Sequence, residues 1–398
     1  MTAPLPLAGI RVVEFSHMVM GPSCGLILGD LGADVIKIEP MPRGDNTRRL
    51  AGSGAGFFPT YNRNKRSILL DLKTPEGMGI AHRLIGAADV LIENFRPGAL
   101  DGLGLGADAL MARHERLIYC SLKGFLAGPY EHRAALDEVV QMMGGLAYMT
   151  GPPGRPLRAG ASVNDVMGGM FAVIGILAAL NERHATGCGR LVRSSLYENN
   201  VFLVAQHMMQ AAVTGVPAAP LPVRISAWAV YDLFDTADGK QIFVGVVSDT
   251  QWRAFCAAFD LSDLAADPDL ATNPQRVGQR DRFMPRIRDL FGKLTLAEAL
   301  ARCETIGLPF APITRPEDLF DDPHLNASGG MLDVHLPDGR PARVPALPLE
   351  LSGERLGVRH DIPRAGQDGV AIARELGLSE AELSDLVARG ILGAEVSP

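Results

Sequence analysis

Asp165 stands at the head of an apolar stretch rich in small residues, RAGASVNDVMGGMFAVIGILAAL over residues 158–180. Where such a stretch is helical, the unfilled amides and the dipole at its start favour a carboxylate over the acid. An ionised carboxylate is the nucleophile that attack on a thioester needs. Gly168 and Gly169, one turn on, would leave room for a bulky acyl group. The same residues also fit a plainer role, with Asn164 or Asp165 as a simple helix cap. Histidines and carboxylates at ligand spacing are missing around Asp165 in the sequence, so no metal site is expected.

Three other places have the right residue types. The first is SHMVMGPSCG, residues 16–25, which follows an apolar run. A glycine there lets a backbone N–H approach a phosphate or a carbonyl. Gly21, Gly25 and Gly29 are spaced four apart, unlike the G-x-G-x-x-G of a dinucleotide fold, and they fit close helix packing equally well. The second is YNRNKRS, residues 61–67, with Lys73 beyond. Its cations suit a solvated loop or an anchor for nucleotide phosphates. The third is ENFRPG, residues 93–98. Asn94 and Phe95 would meet a ligand at a sheet edge, although Phe95 also fits a core plug and Arg96-Pro97-Gly98 a turn.

The elements that must position these residues read as a β-α-β series. Ile10–Phe15, Asp34–Glu39, Ser67–Leu70, Asp89–Glu93 and Leu117–Ser121 are short apolar strands. Ser23–Leu31 suits a helix of small residues, and Thr74-Pro75-Glu76 has the cap and proline of a helix start. Strands alternating with helices imply a parallel sheet covered on both faces. Residues 138–150 and 165–184 look helical. Tyr231–Phe234, Asp238-Gly239 and Gln241–Val247 then read as a hairpin. Helices are expected around Trp252–Phe259 and Pro285–Cys303, and a capped one at Ser379–Arg389, where Ser379 and Glu382 make a capping box. The expected division is a large domain over 1–221, a small one over 222–325 and a tail over 326–398.

The bulk figures exclude several classes. At 398 residues, two domains are the default. A net charge of −7 gives no basic stripe for nucleic acid. Cys24, Cys120, Cys188, Cys256 and Cys303 are scattered and odd in number, against a disulfide framework or structural zinc. The start, MTAPLPLAGI, lacks a secretory pattern, and the apolar run Met167–Leu180 reads as too short to span a bilayer. A cytoplasmic protein without a membrane partner is the expectation.

Taken together and in order, these blocks closely resemble the family III CoA transferases, the CaiB/BaiF group with its carnitine-type and formyl-type enzymes. LAGIRVVEFSHMVMGPSCGLILGDLGADVIKIE looks like the N-terminal signature of that family. NRNKRSILLDLKTPEG, DVLIENFRPGALDGLGL and GASVNDVMGGMFAVIGILAAL look like its next three blocks, the last carrying the catalytic aspartate. A looser match, G-x-G-x-x-V plus S-L-x-E, runs from Gly187 to Glu198. The resemblance implies an α/β fold, a Rossmann-like large domain plus a smaller α+β domain, in an interlocked homodimer. It also implies a C-terminal segment that returns to the large domain. Coenzyme A and acyl-CoA enter as substrates, with no prosthetic group. The family's CoA contacts fall on His17, Met18, Val19, Met20, Leu70, Leu72, Lys73, Asn94 and Phe95. The nucleophile falls on Asp165, and an auxiliary carboxylate of formyl-type members on Asp137.

The chain departs from the formyl-type pattern. Three basic positions of that pattern are Pro40, Gly102 and Ala134 here, and no counterpart of its glycine-rich lid lies between 215 and 260. The nucleotide would then be held by Arg43, Arg48, Arg96 or Arg133, and formyl-CoA and oxalate become poor substrates. An α-methylacyl-CoA racemase would need a histidine where Leu136 stands, since leucine exchanges no proton. His132, four residues earlier, is the nearest substitute. A non-catalytic CoA-binding protein is opposed by the intact Asp165 block. His17, Arg48, His132 and Arg133 near the inferred mouth suit a second carboxylate. A dicarboxylic acceptor such as succinate, mesaconate, itaconate or a malate relative is therefore expected, with intramolecular transfer within one C5 dicarboxylate as a sharper version.

Overall fold

Six short strands of β-branched and aliphatic residues form one parallel sheet in the computed structural model, which describes residues 4–224 and 226–393. In chain order the first elements are β1 (Arg11–Phe15), α1 (Met20–Asp30), β2 (Asp34–Pro40), α2 (Phe57–Tyr61) and β3 (Lys65–Leu70). Next come α3 (Pro75–Gly86), β4 (Val90–Glu93), α4 (Ala107–Arg113) and β5 (Ile118–Lys123). They are followed by α5 (Asp137–Met143), α6 (Leu146–Thr150), α7 (Val163–Thr186), β6 (Leu191–Ser195) and α8 (Leu196–Thr214). The strand order is β3-β2-β1-β4-β5-β6, that of a doubly wound sheet. Alternate strand residues feed opposite cores. Val13, Ile36 and Leu91 face α3, α4 and the C-terminal helices, while Val12, Val35 and Ile92 face α1 and α7.

Residues Val223–Asp322 form a second compact unit, where the sequence had suggested 222–325. It holds β7 (Val230–Asp235), β8 (Gln241–Val246), α9 (Asp249–Ala258), α10 (Ser262–Ala266), α11 (Asn273–Gly278), α12 (Arg280–Phe291), α13 (Leu296–Thr305) and β9 (Phe310–Pro312). The expected hairpin pairs Asp235 with Gln241, and Gly239 takes φ +72° in its turn. The helical region expected around Pro285–Cys303 forms two helices, separated at Gly292 and by the Thr295 capping box, with Pro285 inside α12.

The remainder, Pro323–Pro398, belongs to the first unit. It contains α14 (Pro323–Ala327), β10 (Met331–His335), β11 (Pro341–Pro345), β12 (Glu350–Leu351), β13 (Glu354–Arg355), α15 (Gly369–Glu375) and α16 (Glu380–Ala388). Ser67 N–H donates to Asp368 at 2.9 Å, and Gly393 N–H donates to the Leu69 carbonyl at 3.0 Å, so this segment closes over β3.

Two sequence expectations about helices change. The stretch 138–150 is split into α5 and α6 by Gly144-Gly145, with Gly145 at φ +88°. The apolar helix α7 spans 24 residues, so it is long and apolar enough to cross a membrane, unlike the shorter run read from the sequence. Its Ala172, Val173 and Ile176 pack into the core beneath the sheet.

Candidate active site

In a doubly wound sheet, ligands bind beyond the carboxyl ends of the strands where the order reverses, here between β1 and β4. The loops leaving these two strands are tied together. His17 N–H donates to Asn94 Oδ1 at 3.0 Å, and Asn94 Nδ2 donates back to the His17 carbonyl at 2.8 Å. The His17 ring lies 5.3 Å from the Phe95 ring, and burial holds its imidazole below the usual pKa, toward the neutral form. Met18 adopts φ +62°, held by its N–H on Thr47 Oγ1 at 3.0 Å. The His17 and Met18 amides are thus occupied and are not available to an oxyanion. The next amides open the first turn of α1, where no intrahelical acceptor exists. Val19 and Met20 themselves are buried, so their side chains are core and only their backbone faces the loop.

A largely buried set of charges supports this loop from below. Lys37 Nζ donates to the Ser16 carbonyl at 2.6 Å and lies 3.3 Å from Glu14 and 3.2 Å from Asp45. Lys65 reaches the other Glu14 oxygen at 2.9 Å, and burial brings its ammonium down to about 8. Arg63 pairs with Asp30 at 2.5 Å, and Arg66 with Asp34 at 2.7 Å. The basic cluster of residues 61–67 is therefore neither a solvated loop nor a phosphate anchor. Its cations neutralise acids arriving from β1, α1 and β2. Gly25 is required here, since a Cβ would lie 1.7 Å from Glu14 Oε2.

Asp165 is the third residue of α7 and accepts no hydrogen bond or ion pair among the described residues. Ser162 precedes the helix, so neither Asn164 nor Asp165 is its cap. The cap comes from α5 instead. Asp137 Oδ1 accepts the Asn164 N–H at 2.7 Å, and its other oxygen accepts from Gln141. Both oxygens of this second carboxylate are committed, which makes Asp137 a positioning group. The helix start does not keep Asp165 in the ordinary carboxylate range. Burial, then the charges of Asp137 and Glu138, lift it to about 7. The Tyr61 phenol, raised by burial and by the Asp165 charge, shares this site and carried no signal in the sequence.

Gly168 and Gly169 do not hold an acyl group. A Cβ on Gly168 would meet Met20 Cε at 2.3 Å, and one on Gly169 would meet Ser23 Oγ at 2.1 Å and the Met20 carbonyl at 2.9 Å. They let α1 cross α7 at close range. Asp165 is one turn before them on the same face, which brings it beside the first turn of α1. Gly169→Ala is expected to destabilise the fold by about 1–3 kcal/mol, read as a fall in denaturant midpoint. The control is Gly79→Ala in α3, where a Cβ meets nothing within 4 Å. Equal midpoints for the two variants would contradict the close crossing.

The other expected contacts scatter. The side chain of Leu70 is closed in the core beneath Leu392, leaving only its backbone, while Leu72 is half-buried and Lys73 exposed. Arg48 is not free for phosphate or for a substrate carboxylate, because it forks onto Glu39 at 2.6 and 2.7 Å and lies over Phe58. Arg43 is exposed, Arg133 lies over the Tyr130 ring, and the exposed His132 pairs with Glu131 at 3.1 Å. Arg96 lines a cleft of about 260 Å³ at the carboxyl ends of β4 and β5. Lys123 and Arg193 from β5 and β6 line the same cleft, and neither was singled out from the sequence. Lys123 links the cleft to the β4 loop by donating to the Phe95 carbonyl at 2.7 Å.

The family model described as CoA-transferase family III matches residues 7–369. A succinate–glutarate CoA-transferase of Agrobacterium fabrum is 34% identical, over 93% of this chain and 96% of its own length. A succinyl-CoA–D-citramalate CoA-transferase of Chloroflexus aurantiacus is 33% identical over 98% of each. Among solved structures, a CaiB/BaiF family protein from Brucella suis superposes with a TM-score of 0.83 at 34% identity, covering 94% of this chain and all of its own.

Proposed function

The chain belongs to CoA-transferase family III, and from that premise we propose that it moves CoA from an acyl-CoA to a dicarboxylic acid through covalent intermediates on Asp165. The observation that carries the reading is a largely buried carboxyl, without hydrogen-bond partners among the described residues, one turn before the Gly168-Gly169 crossing with the first turn of α1. Asp165 attacks the donor thioester carbonyl, forming a mixed anhydride and releasing CoA thiolate. The thiolate attacks the aspartyl carbonyl, expelling the donor acid and leaving an aspartyl-CoA thioester. The acceptor carboxylate then displaces the thiolate as a second anhydride. Attack of the thiolate on the acceptor acyl carbon forms the product and restores Asp165. Each step replaces one hard exchange by reversible acyl transfer. The amides at the head of α1 are the donors available to the oxyanions.

The acceptor class is supported by the dicarboxylates named for the two relatives. His17, Asn94 and Phe95 would frame the thioester arm, and the cleft offers Arg96 and Arg193 as cations for the CoA phosphates, Lys123 being paired with Glu93 at 2.7 Å. Apolar residues on α7 and α8 lie exposed, among them Ile174, Phe202, Met209 and Val213, with Phe171 and Phe202 edge to face at 5.5 Å. We assign this face to a second copy of the chain, in keeping with an interlocked homodimer. Cytoplasmic placement completes the reading.

The test is a donor-by-acceptor panel with succinyl-CoA, acetyl-CoA and mesaconyl-CoA, read by mass spectrometry. CoA should move to dicarboxylates, and a panel without transfer would overturn the reading. The attacking form is the carboxylate, so turnover at saturating substrate should rise as pH climbs through about 7 and level above it. A profile flat between about pH 5 and about pH 8 would count against Asp165 as the nucleophile.

A further inference from the structure

Arg158 lies between two anchored amides. Leu157 N–H donates to the Ala147 carbonyl at 3.0 Å, and Ala159 N–H donates to Gln141 Oε1 at 2.8 Å. Its backbone is therefore fixed against α5 and α6, while its side chain is 46% exposed and reaches Glu138 at 2.9 Å. Glu138 is 50% exposed and is the neighbour of Asp137, the group that caps the Asp165 helix. Asp137 accepts the N–H of Asn164, the residue before Asp165, at 2.7 Å, so the pair stands close to the same site.

We infer that Arg158 binds the far carboxylate of a dicarboxylate acceptor, and that Glu138 occupies this guanidinium until the acceptor arrives. The inference rests on the transferase reading and names the residue that sets its acceptor class. An exposed ion pair contributes little to stability, so exchanging Glu138 for a substrate carboxylate is close to balanced. The guanidinium forks onto a carboxylate with two parallel hydrogen bonds, which a monocarboxylate acceptor cannot use at its apolar end. Arg48 is closed off by Glu39 and Phe58.

The experiment compares kcat/KM for glutarate and for pentanoate with one common donor, succinyl-CoA. In Arg158→Gln the glutarate-to-pentanoate ratio should fall about ten- to hundredfold, with Arg158→Lys between it and wild type. Glu138→Gln frees the guanidinium and should raise the ratio severalfold. A ratio unchanged in Arg158→Gln, or lowered equally by Glu138→Gln, would overturn the assignment and leave the pair a structural one. A wild-type chain inert toward every acceptor would instead remove the transferase reading, and this inference with it.

Discussion

Asp165→Asn is expected to lower turnover by on the order of 10³-fold or more and, at about pH 8, to raise the melting temperature by a few degrees. The two effects have one cause. The Asp165 carboxyl is lifted from 3.8 to about 7, chiefly by burial and then by Asp137 and Glu138. The folded chain binds this proton more tightly than the unfolded chain. The associated stability is full below the unfolded value and is lost as pH rises through about 7. At about pH 8 the ionised carboxylate opposes folding, and an amide of the same shape relieves that opposition. The gain should shrink as the pH is lowered toward about 5. A variant with wild-type turnover, or a stability difference independent of pH, would contradict this account.

The second large effect is expected at Lys37. Its ammonium is fully buried between Glu14, Asp45 and the Ser16 carbonyl. Lys37→Met leaves two buried acids with one cation fewer, which typically destabilises by about 3–5 kcal/mol. Lys293→Met, where an exposed ammonium pairs with Asp289, should change stability by no more than about 0.5 kcal/mol. Chemical denaturation of both variants measures the difference. The Ser16 carbonyl also loses its donor, so the adjoining His17 loop should loosen and the KM for acyl-CoA should rise. A Lys37→Met chain as stable as wild type would show that the buried charges do not hold the loop.

What the sequence revealed follows how local each feature is. The strand from Asp34, the Thr74-Pro75 helix start and the Ser379–Glu382 capping box depend on neighbours within a few residues, and the structure forms them. The Arg63, Lys65 and Arg66 cluster looked like a solvated loop or a phosphate anchor because its partners lie far off. Asp30 and Glu14 precede Arg63 and Lys65 by 33 and 51 residues. Gly168 and Gly169 looked like space for a substrate because Met20 and Ser23, which fill it, belong to another helix. The resemblance made Asp137 an auxiliary carboxylate, and only folding shows its two oxygens capping α7 and holding Gln141. Asp165 stood out by type and position, whereas its raised pKa arises from burial and from acids brought up by α5.

The most direct measurement is mass spectrometry of the protein mixed with succinyl-CoA in the absence of an acceptor. CoA should appear as a thioester on the peptide containing Asp165, be released by hydroxylamine or by an added dicarboxylate, and be absent from Asp165→Asn. CoA attached to a different residue, or undiminished transfer by Asp165→Asn, would contradict Asp165 as the nucleophile.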